Sequence, residues 1–349
     1  MRTLRILLPA VLLVGLSLSS VPGQAAGPPP HVPDVAQAHT HGPDGLWLDP
    51  RGRRRDAPAG QPYDVDTHAS WNAADWDGQS FTADQPDLSP LPSFHAIYVY
   101  PRDGVNRFNS FAAMFQADAV QASDRLNALF GRGIRYDYRA GNCYQTPGTP
   151  CLDITVFRTK ARSNQLSGGS AWGTIYKELS GPFRAPNKKY FVFLDTRNTF
   201  ACGQGNLAQD TQRSSSNANE GRTQSIIYRP FDPNNGEGGF CRGRTLGHEL
   251  GHNMGALQRV APHAFDGAHC HDSAEDVMCY TSATSYDHGD LAFDFGNDDY
   301  WDPIADPLGN NLLPGAPVPE AQKLPWWTVN LSRYICPTDG CSSPSTPEF

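Results

Sequence analysis

The sequence predicts an α+β fold: a mixed, twisted sheet with flanking helices, followed by an irregular, disulfide-bearing C-terminal subdomain. Three observations predict it. Strand-like and helix-like apolar patterns alternate from about position 94 to 257. Beyond Gly255 the chain turns rich in Gly, Pro, Asp and Asn and loses periodicity. Eight cysteines, an even number, all lie at or after position 143.

The elements follow in order. His95–Tyr100 reads as a strand closed by Pro101 and a turn at Asp103-Gly104. From Asn106 to Phe130 the positions Phe108, Phe111, Phe115, Val120, Leu126 and Leu129 mark one face of a helix. Ile134–Arg139 and Cys151–Thr159 read as further strands, and Trp172–Leu179 as a helix ended by Gly181-Pro182. Tyr190–Leu194 is a continuous apolar run, which suits a strand covered on both faces. Ser225–Tyr228 is a last strand before a helix around position 250.

The N-terminus bears on the compartment. Arg2 and Arg5 precede an apolar run of 13 residues, Ile6–Leu18, and Gly23 and Ala25 stand where a cut after Ala25 needs small residues. A membrane span needs roughly 20 apolar residues, so residues 1–25 are read as a signal peptide and the chain as secreted and extracellular. Residues 26–90 read as a weakly ordered leader or propeptide, with Arg51, Arg53, Arg54 and Arg55 as its processing cluster, and 91–349 as the functional domain. In an exported chain the cysteines imply disulfides. Nearest-neighbour pairing, one of many arrangements, gives 143–151, 202–241, 270–279 and 336–341. The net charge of −8 leaves no basic field for phosphates, so nucleic acid is not an expected partner. No second stretch suits a membrane, and the mature chain is expected to act as a monomer.

The segment that carries chemistry is Thr245–Gly255, which holds His248-Glu249-Leu250-Gly251-His252. On a helix, residues four apart share a face, so His248 and His252 present two imidazoles together, as a tetrahedral zinc site requires. Glu249 stands beside them, placed to take a proton from a water that the metal activates. Leu246, Leu250, Met254 and Leu257 would anchor the other face. Gly247, Gly251 and Gly255 are costly in a helix, about 0.8–1.0 kcal/mol each relative to Ala, so close packing beside the site is expected. The competing reading is a chance pentapeptide with two surface histidines. Against it, six of the eleven histidines fall between 248 and 288.

With these residues the chain resembles the metzincin zinc endopeptidases. Their motif H-E-x-x-H-x-x-G-x-x-H is matched by His248, Glu249, His252 and Gly255, and Asp276–Tyr280 resembles their methionine-containing turn. The resemblance implies a metzincin-like sheet and active-site helix, an N-terminal subdomain to about 257, Zn2+ as cofactor, and a protein or peptide substrate. It also implies Met278 as a soft floor under the metal and Tyr280 as a catalytic helper for the oxyanion. The motif's third ligand position is Gln258 here, and a neutral amide is a poor zinc ligand. His269 is the preferred third metal ligand, since it stands beside Cys270 and nine residues before Met278; Gln258, His263 and His271 are the alternatives. A secreted binding protein with a structural zinc, or an inactive metzincin-like site, is the rival function, favoured by Gln258 and opposed by Glu249. Asp287, Asp290, Asp294, Asp298 and Asp299 offer oxygens that suit Ca2+, but a solvated acidic loop is the preferred reading.

Overall fold

The computed structural model describes residues 40–41, 47–48, 54–55, 73–143, 150–167, 169–198, 202–230, 244–265, 267–270, 276–282, 285–288, 293–294, 298–302, 324–336 and 341, all within the compact unit Asp34–Phe349. Five strands make the central sheet: β1 (Ser93–Tyr100), β2 (Ile154–Arg158), β3 (Lys188–Asn198), β4 (Gly203–Gly205) and β5 (Gln224–Pro230). Their order is β2-β1-β3-β5-β4. All pairs are parallel except β5 with β4, the antiparallel strand that ends the sheet. Three helices accompany it: α1 (Phe108–Phe130), α2 (Ser170–Leu179) and α3 (Arg244–Met254). A small antiparallel pair, β6 (Tyr280–Ser282) and β7 (Ser285–His288), follows.

Strand alternation divides the core in two. Phe94, Ala96 and Tyr98 of β1, with Phe191 and Phe193 of β3, pack with Phe108, Ala112 and Phe115 of α1 and with Leu246, Leu250 and Met254 of α3. The intervening residues Ile97, Val99, Val192 and Leu194 pack with Ala171, Ile175 and Leu179 of α2. The sheet is thus covered on both faces, which is why Ala96–Val99 of β1 and Tyr190–Leu194 of β3 are continuous apolar runs rather than alternating with polar residues. Each Phe, Leu, Ile, Val or Met among them, fully buried, contributes on the order of 1.5–3 kcal/mol. The phenyl rings of Phe115 and Phe193 stack at 3.8 Å between α1 and the sheet. Helix α1 stops at Gly131, whose φ of 65° lets its N–H bond Asn127 O.

Two expectations need correction. Ile134–Arg139 forms only a two-residue ladder, Tyr138–Arg139 with Cys151–Leu152, because Arg135 N–H bonds Tyr334 O and Asp137 N–H bonds Phe94 O instead of extending one register. The strand expected over 151–159 is split at Asp153, leaving Cys151–Leu152 and β2. Residues ahead of position 91 also pack on the sheet and α1: Trp76 is buried edge-on against Phe108, Asp77 pairs with Arg139 at 2.7 Å, and Phe81 bridges to Thr155. Short ladders occur at Thr40–His41, Trp47–Leu48 and Arg54–Arg55. The side chain of Leu129 lies outside the described residues.

Three of the expected disulfides are present: Cys143–Cys151, Cys270–Cys279 and Cys336–Cys341. Cys202 is also disulfide-bonded, and its expected partner Cys241 lies outside the described residues. Disulfides of this kind persist in oxidising compartments. Among the described residues no helix is long and apolar enough to cross a membrane.

Candidate metal centre

Helix α3 carries the motif on a buried element. Leu246, Leu250 and Met254 fix one side in the core, and His248, Glu249 and His252 are themselves 2%, 4% and 5% exposed. One turn separates the two imidazoles, whose Nε2 atoms are 3.0 Å apart. His248 Nδ1 is 2.7 Å from Val277 O. A carbonyl only accepts, so Nδ1 carries the proton and Nε2 of a neutral His248 presents its lone pair.

His269 completes the group. Its ring stacks on His248 at 5.3 Å and meets His252 edge-on at 5.1 Å. His248, His252 and His269 offer ring nitrogens that all lie within 4.8 Å of one another. The path from helix to third histidine begins at Gly255, with φ 89°, and at Leu257, with φ 55°. Gln258 is fully buried there, and its amide N–H groups serve the turn: Nε2 donates to Gly255 O at 2.8 Å and to Ala208 O at 3.2 Å, while Oε1 makes no hydrogen bond among the described residues. The chain then returns, and Phe265 N–H bonds His269 O at 3.0 Å.

Below the histidines, Asp276–Cys279 forms the turn. Met278 N–H and Tyr300 O–H both donate to Asp276 Oδ1, at 2.7 and 2.6 Å. The Cys270–Cys279 bridge ties this turn to the residue after His269. Met278 lies under the helix where Gly251 leaves room; a Cβ on Gly251 would come within 2.9 Å of Met278 Sδ. Gly255 has two reasons to be glycine: its positive φ, and Trp327 and Asn219 atoms that would meet a Cβ at 2.7 Å. Gly247 has no such reason, its nearest neighbour being Ala122 Cβ at 4.0 Å. Gly255→Ala is expected to destabilise the fold by about 2 kcal/mol or more, from the left-handed backbone and the overlap together. Urea unfolding checks this, and a midpoint unchanged from wild type would contradict it.

Glu249 rests on strand β4. Cβ atoms placed on Gly203 and Gly205 would overlap its carboxylate, at 2.3 Å from Oε1 and 2.9 Å from Oε2 respectively. The Gly-Gln-Gly strand therefore makes a cradle that only glycine permits at both positions. Burial pushes the Glu249 carboxyl well above its ordinary range. Burial, and then the neighbouring His248 and His269 imidazoles, push the His252 imidazole well below its ordinary range. A cation among the rings favours neutral imidazoles and an ionised carboxylate, so the donor set suits a metal ion.

The remaining candidates fall elsewhere. His263 is held by Asp299, with N–H to Oδ1 at 3.0 Å and Nδ1 to Oδ2 at 3.1 Å, and groups with Asp298 and Asp299 rather than with the three histidines. His271 and Asp290 lie outside the described residues, as do the side chains of Tyr280 and Asp287. Tyr280 opens β6 immediately after the turn. The solvated acidic loop is overturned for Asp294 and Asp299, which are 1% and 2% exposed. Asp294 is an internal acceptor for the N–H groups of Asp299, Tyr300 and Trp301. A further acidic group, Asp84, His95, Asp137 and Asp153, is bound internally: Lys188 Nζ contacts Asp137 at 2.6 Å, Asp84 at 2.7 Å and the nearby Asp87 at 2.8 Å, and His95 Nδ1 lies 2.7 Å from Asp137.

Sequence reasoning missed the glycine cradle and the Tyr300–Asp276 support. The first had a signal in Cys202-Gly203-Gln204-Gly205, two glycines at strand spacing; the second had none, since Asp276 and Tyr300 are joined only by the fold.

No protein-family model matches the chain, and no curated protein matches it. Among solved structures, metalloproteinase-II from Bacteroides fragilis is similar at 15% identity, over 61% of this chain and 53% of that one, with a TM-score of 0.27. OgpA from Akkermansia muciniphila is similar in two forms. A catalytically inactive form in complex with an O-glycopeptide (glycodrosocin) substrate shares 9% identity, and the wild type 10%. Each covers 51% of this chain and 52% of that one, with a TM-score of 0.27. The chain thus spans about half the length of the structures it matches. A TM-score of 0.27 defines neither a shared fold nor a shared activity.

Proposed function

We propose that this chain is an exported zinc-dependent endopeptidase of the metzincin type, with His248, His252 and His269 as metal ligands and Glu249 as general base. The observation that carries the reading is the meeting of three imidazoles beside one buried carboxylate. Three protein ligands are the number that leaves a position open for catalysis, and imidazole suits zinc better than it suits calcium or magnesium. Bound there, zinc supplies Lewis-acid activation of water and of the scissile carbonyl.

The chain's own residues do the rest. Glu249 takes the proton from the attacking water and hands it to the leaving amine. Its cradle of Gly203 and Gly205 keeps it at one place and excludes bulk water from its back. Val277 O orients His248 and fixes its tautomer. Tyr280, directly after the turn, is the proposed donor to the oxyanion. Strand β4 ends the sheet beside Glu249, so an extended peptide can pair along it as an added strand. The rival reading, a binding protein with a structural zinc, drew its support from Gln258; the meeting of His248, His252 and His269 supplies three imidazoles without it.

The test uses the purified secreted protein and a quenched fluorescent peptide library. Hydrolysis is expected, lost on treatment with a chelator and restored by added zinc. A zinc-loaded, folded protein that cleaves no peptide would overturn the reading.

A further inference from the structure

Of the three clustered imidazoles, two are sealed in and one is not. His248 and His252 are buried, as is Glu249, whereas His269 is only partly buried. Helix α3 closes the group on one side and the turn Asp276–Cys279 closes it below, and a packed interior has no room for a second chain. The accessible side is therefore that of His269. Phe265 stands there. Its ring centroid lies 6.3 Å from that of His269, with the two rings tilted by 37°. It is 49% exposed and is the one exposed phenylalanine among the described residues.

A single apolar side chain at a surface is ordinary and needs no function. This one differs in being presented by a braced backbone beside a candidate metal ligand. Phe265 N–H bonds His269 O at 3.0 Å, and Gly267, with φ 83°, turns the chain between them. Gln209, from the connection between β4 and β5, holds the same loop from one side: its Oε1 accepts from Arg259 N–H at 2.9 Å, and its Nε2 donates to Gly267 O. From another side, Asp299 Oδ1 accepts from His263 N–H at 3.0 Å. The excursion between Gly255 and His269 thus does more than deliver a third imidazole. It also sets a phenyl ring at the mouth of the group, and a ligand that uses a surface already in place loses less in ordering it.

We infer that Phe265 is a specificity-determining residue: it is the wall against which a peptide lays a bulky apolar side chain, Phe, Leu or Met, next to the bond held at the histidine group. The inference rests on the peptidase reading and names the substrate class that this reading leaves open. The ring offers apolar surface that such a side chain would take out of water, and an aromatic partner adds a favourable ring–ring geometry. Glycine at that position leaves the ring wet, and a charged side chain would have to be desolvated against it.

Two measurements separate this inference from the reading beneath it. The first is binding without turnover. The intact, zinc-loaded protein is titrated calorimetrically with the hydroxamates of acetylglycine, acetylleucine and acetylphenylalanine, which share a metal-binding group and differ only in side chain. The leucine or phenylalanine compound is expected to bind about tenfold more tightly than the glycine one. Phe265→Ser is expected to bring that ratio down to about two or less, and Phe265→Leu to restore most of it, both with parental zinc content. The second is cleavage of a peptide mixture read by mass spectrometry. Bonds flanked by Phe, Leu or Met are expected to dominate, and Phe265→Ser to raise KM on them more than it lowers kcat, as loss of a uniform binding contact does. A hydroxamate series without preference, or a preference that persists in Phe265→Ser, overturns the inference even if peptides are cleaved. Discrimination among the hydroxamates with no cleavage of any peptide upholds the apolar wall and overturns the peptidase reading alone. No hydroxamate binding at all overturns both.

Discussion

His269→Ala is expected to strip the metal from the protein, and Gln258→Ala to leave it in place. The sequence motif alone argues the reverse, since Gln258 occupies the register in which a third ligand belongs. The geometry separates the two. His269 brings an imidazole against His248 and His252, with ring nitrogens within 4.8 Å of one another, while the Gln258 Nε2 that donates to Gly255 O and Ala208 O holds the side chain to the turn, and its amide oxygen is the poorer zinc donor. Loss of a group that merely orients a ligand weakens metal binding by about 10–100-fold, so loss of a ligand itself should exceed that. Gln258→Ala removes hydrogen bonds inside the turn and should cost about 1–3 kcal/mol of stability, without a matching loss of metal. Elemental analysis of the two folded variants decides between them. Stoichiometric zinc in His269→Ala together with zinc loss in Gln258→Ala would return the third ligand to the standard spacing.

The second large effect is chemical rather than structural. Glu249→Gln should lower peptide hydrolysis by about 10²- to 10⁴-fold, the usual contribution of a general acid or base. Zinc content should stay near that of the parent protein, because Glu249 is assigned to proton transfer and not to the metal. The amide has the same shape as the carboxylate and fits the same glycine cradle, so a folding defect is not expected. Burial favours the neutral side chain in any case. Retention of more than a few per cent of parental turnover, about the margin a general base cannot leave, would end that assignment.

Much of the frame was legible in the sequence because it rests on local periodicity. The apolar run Tyr190–Leu194 marked β3, and Leu246, Leu250 and Met254 marked α3, since burial on a strand or helix repeats at fixed spacing. His248, Glu249 and His252 were legible for the same reason. His269 was legible only through its neighbours, Cys270 and the turn at Met278. What escaped was non-local or non-periodic. Ile134–Arg139 alternates like a strand but bonds to two different partners, and Trp76 packs from a segment that composition alone marks as loop. Arg107, just before α1, and Arg229, near the end of β5, both reach Asp195 on β3, and no spacing in the chain announces that they meet.

The turn Asp276–Cys279 touches two of the three histidines by different means. Val277 O receives the His248 ring, and Cys279 is bonded to Cys270 beside His269. Opening the turn would therefore disturb two of the three proposed ligands in one movement. Residence of the ion becomes a matter of rate as well as affinity. While the bridge is closed, exchange with other metal pools should be slow; once a thiol attacks the bridge, release should follow the kinetics of disulfide cleavage. A protein built this way would keep its metal in an oxidising space and surrender it on entering a reducing one, with the covalent link acting as the clock.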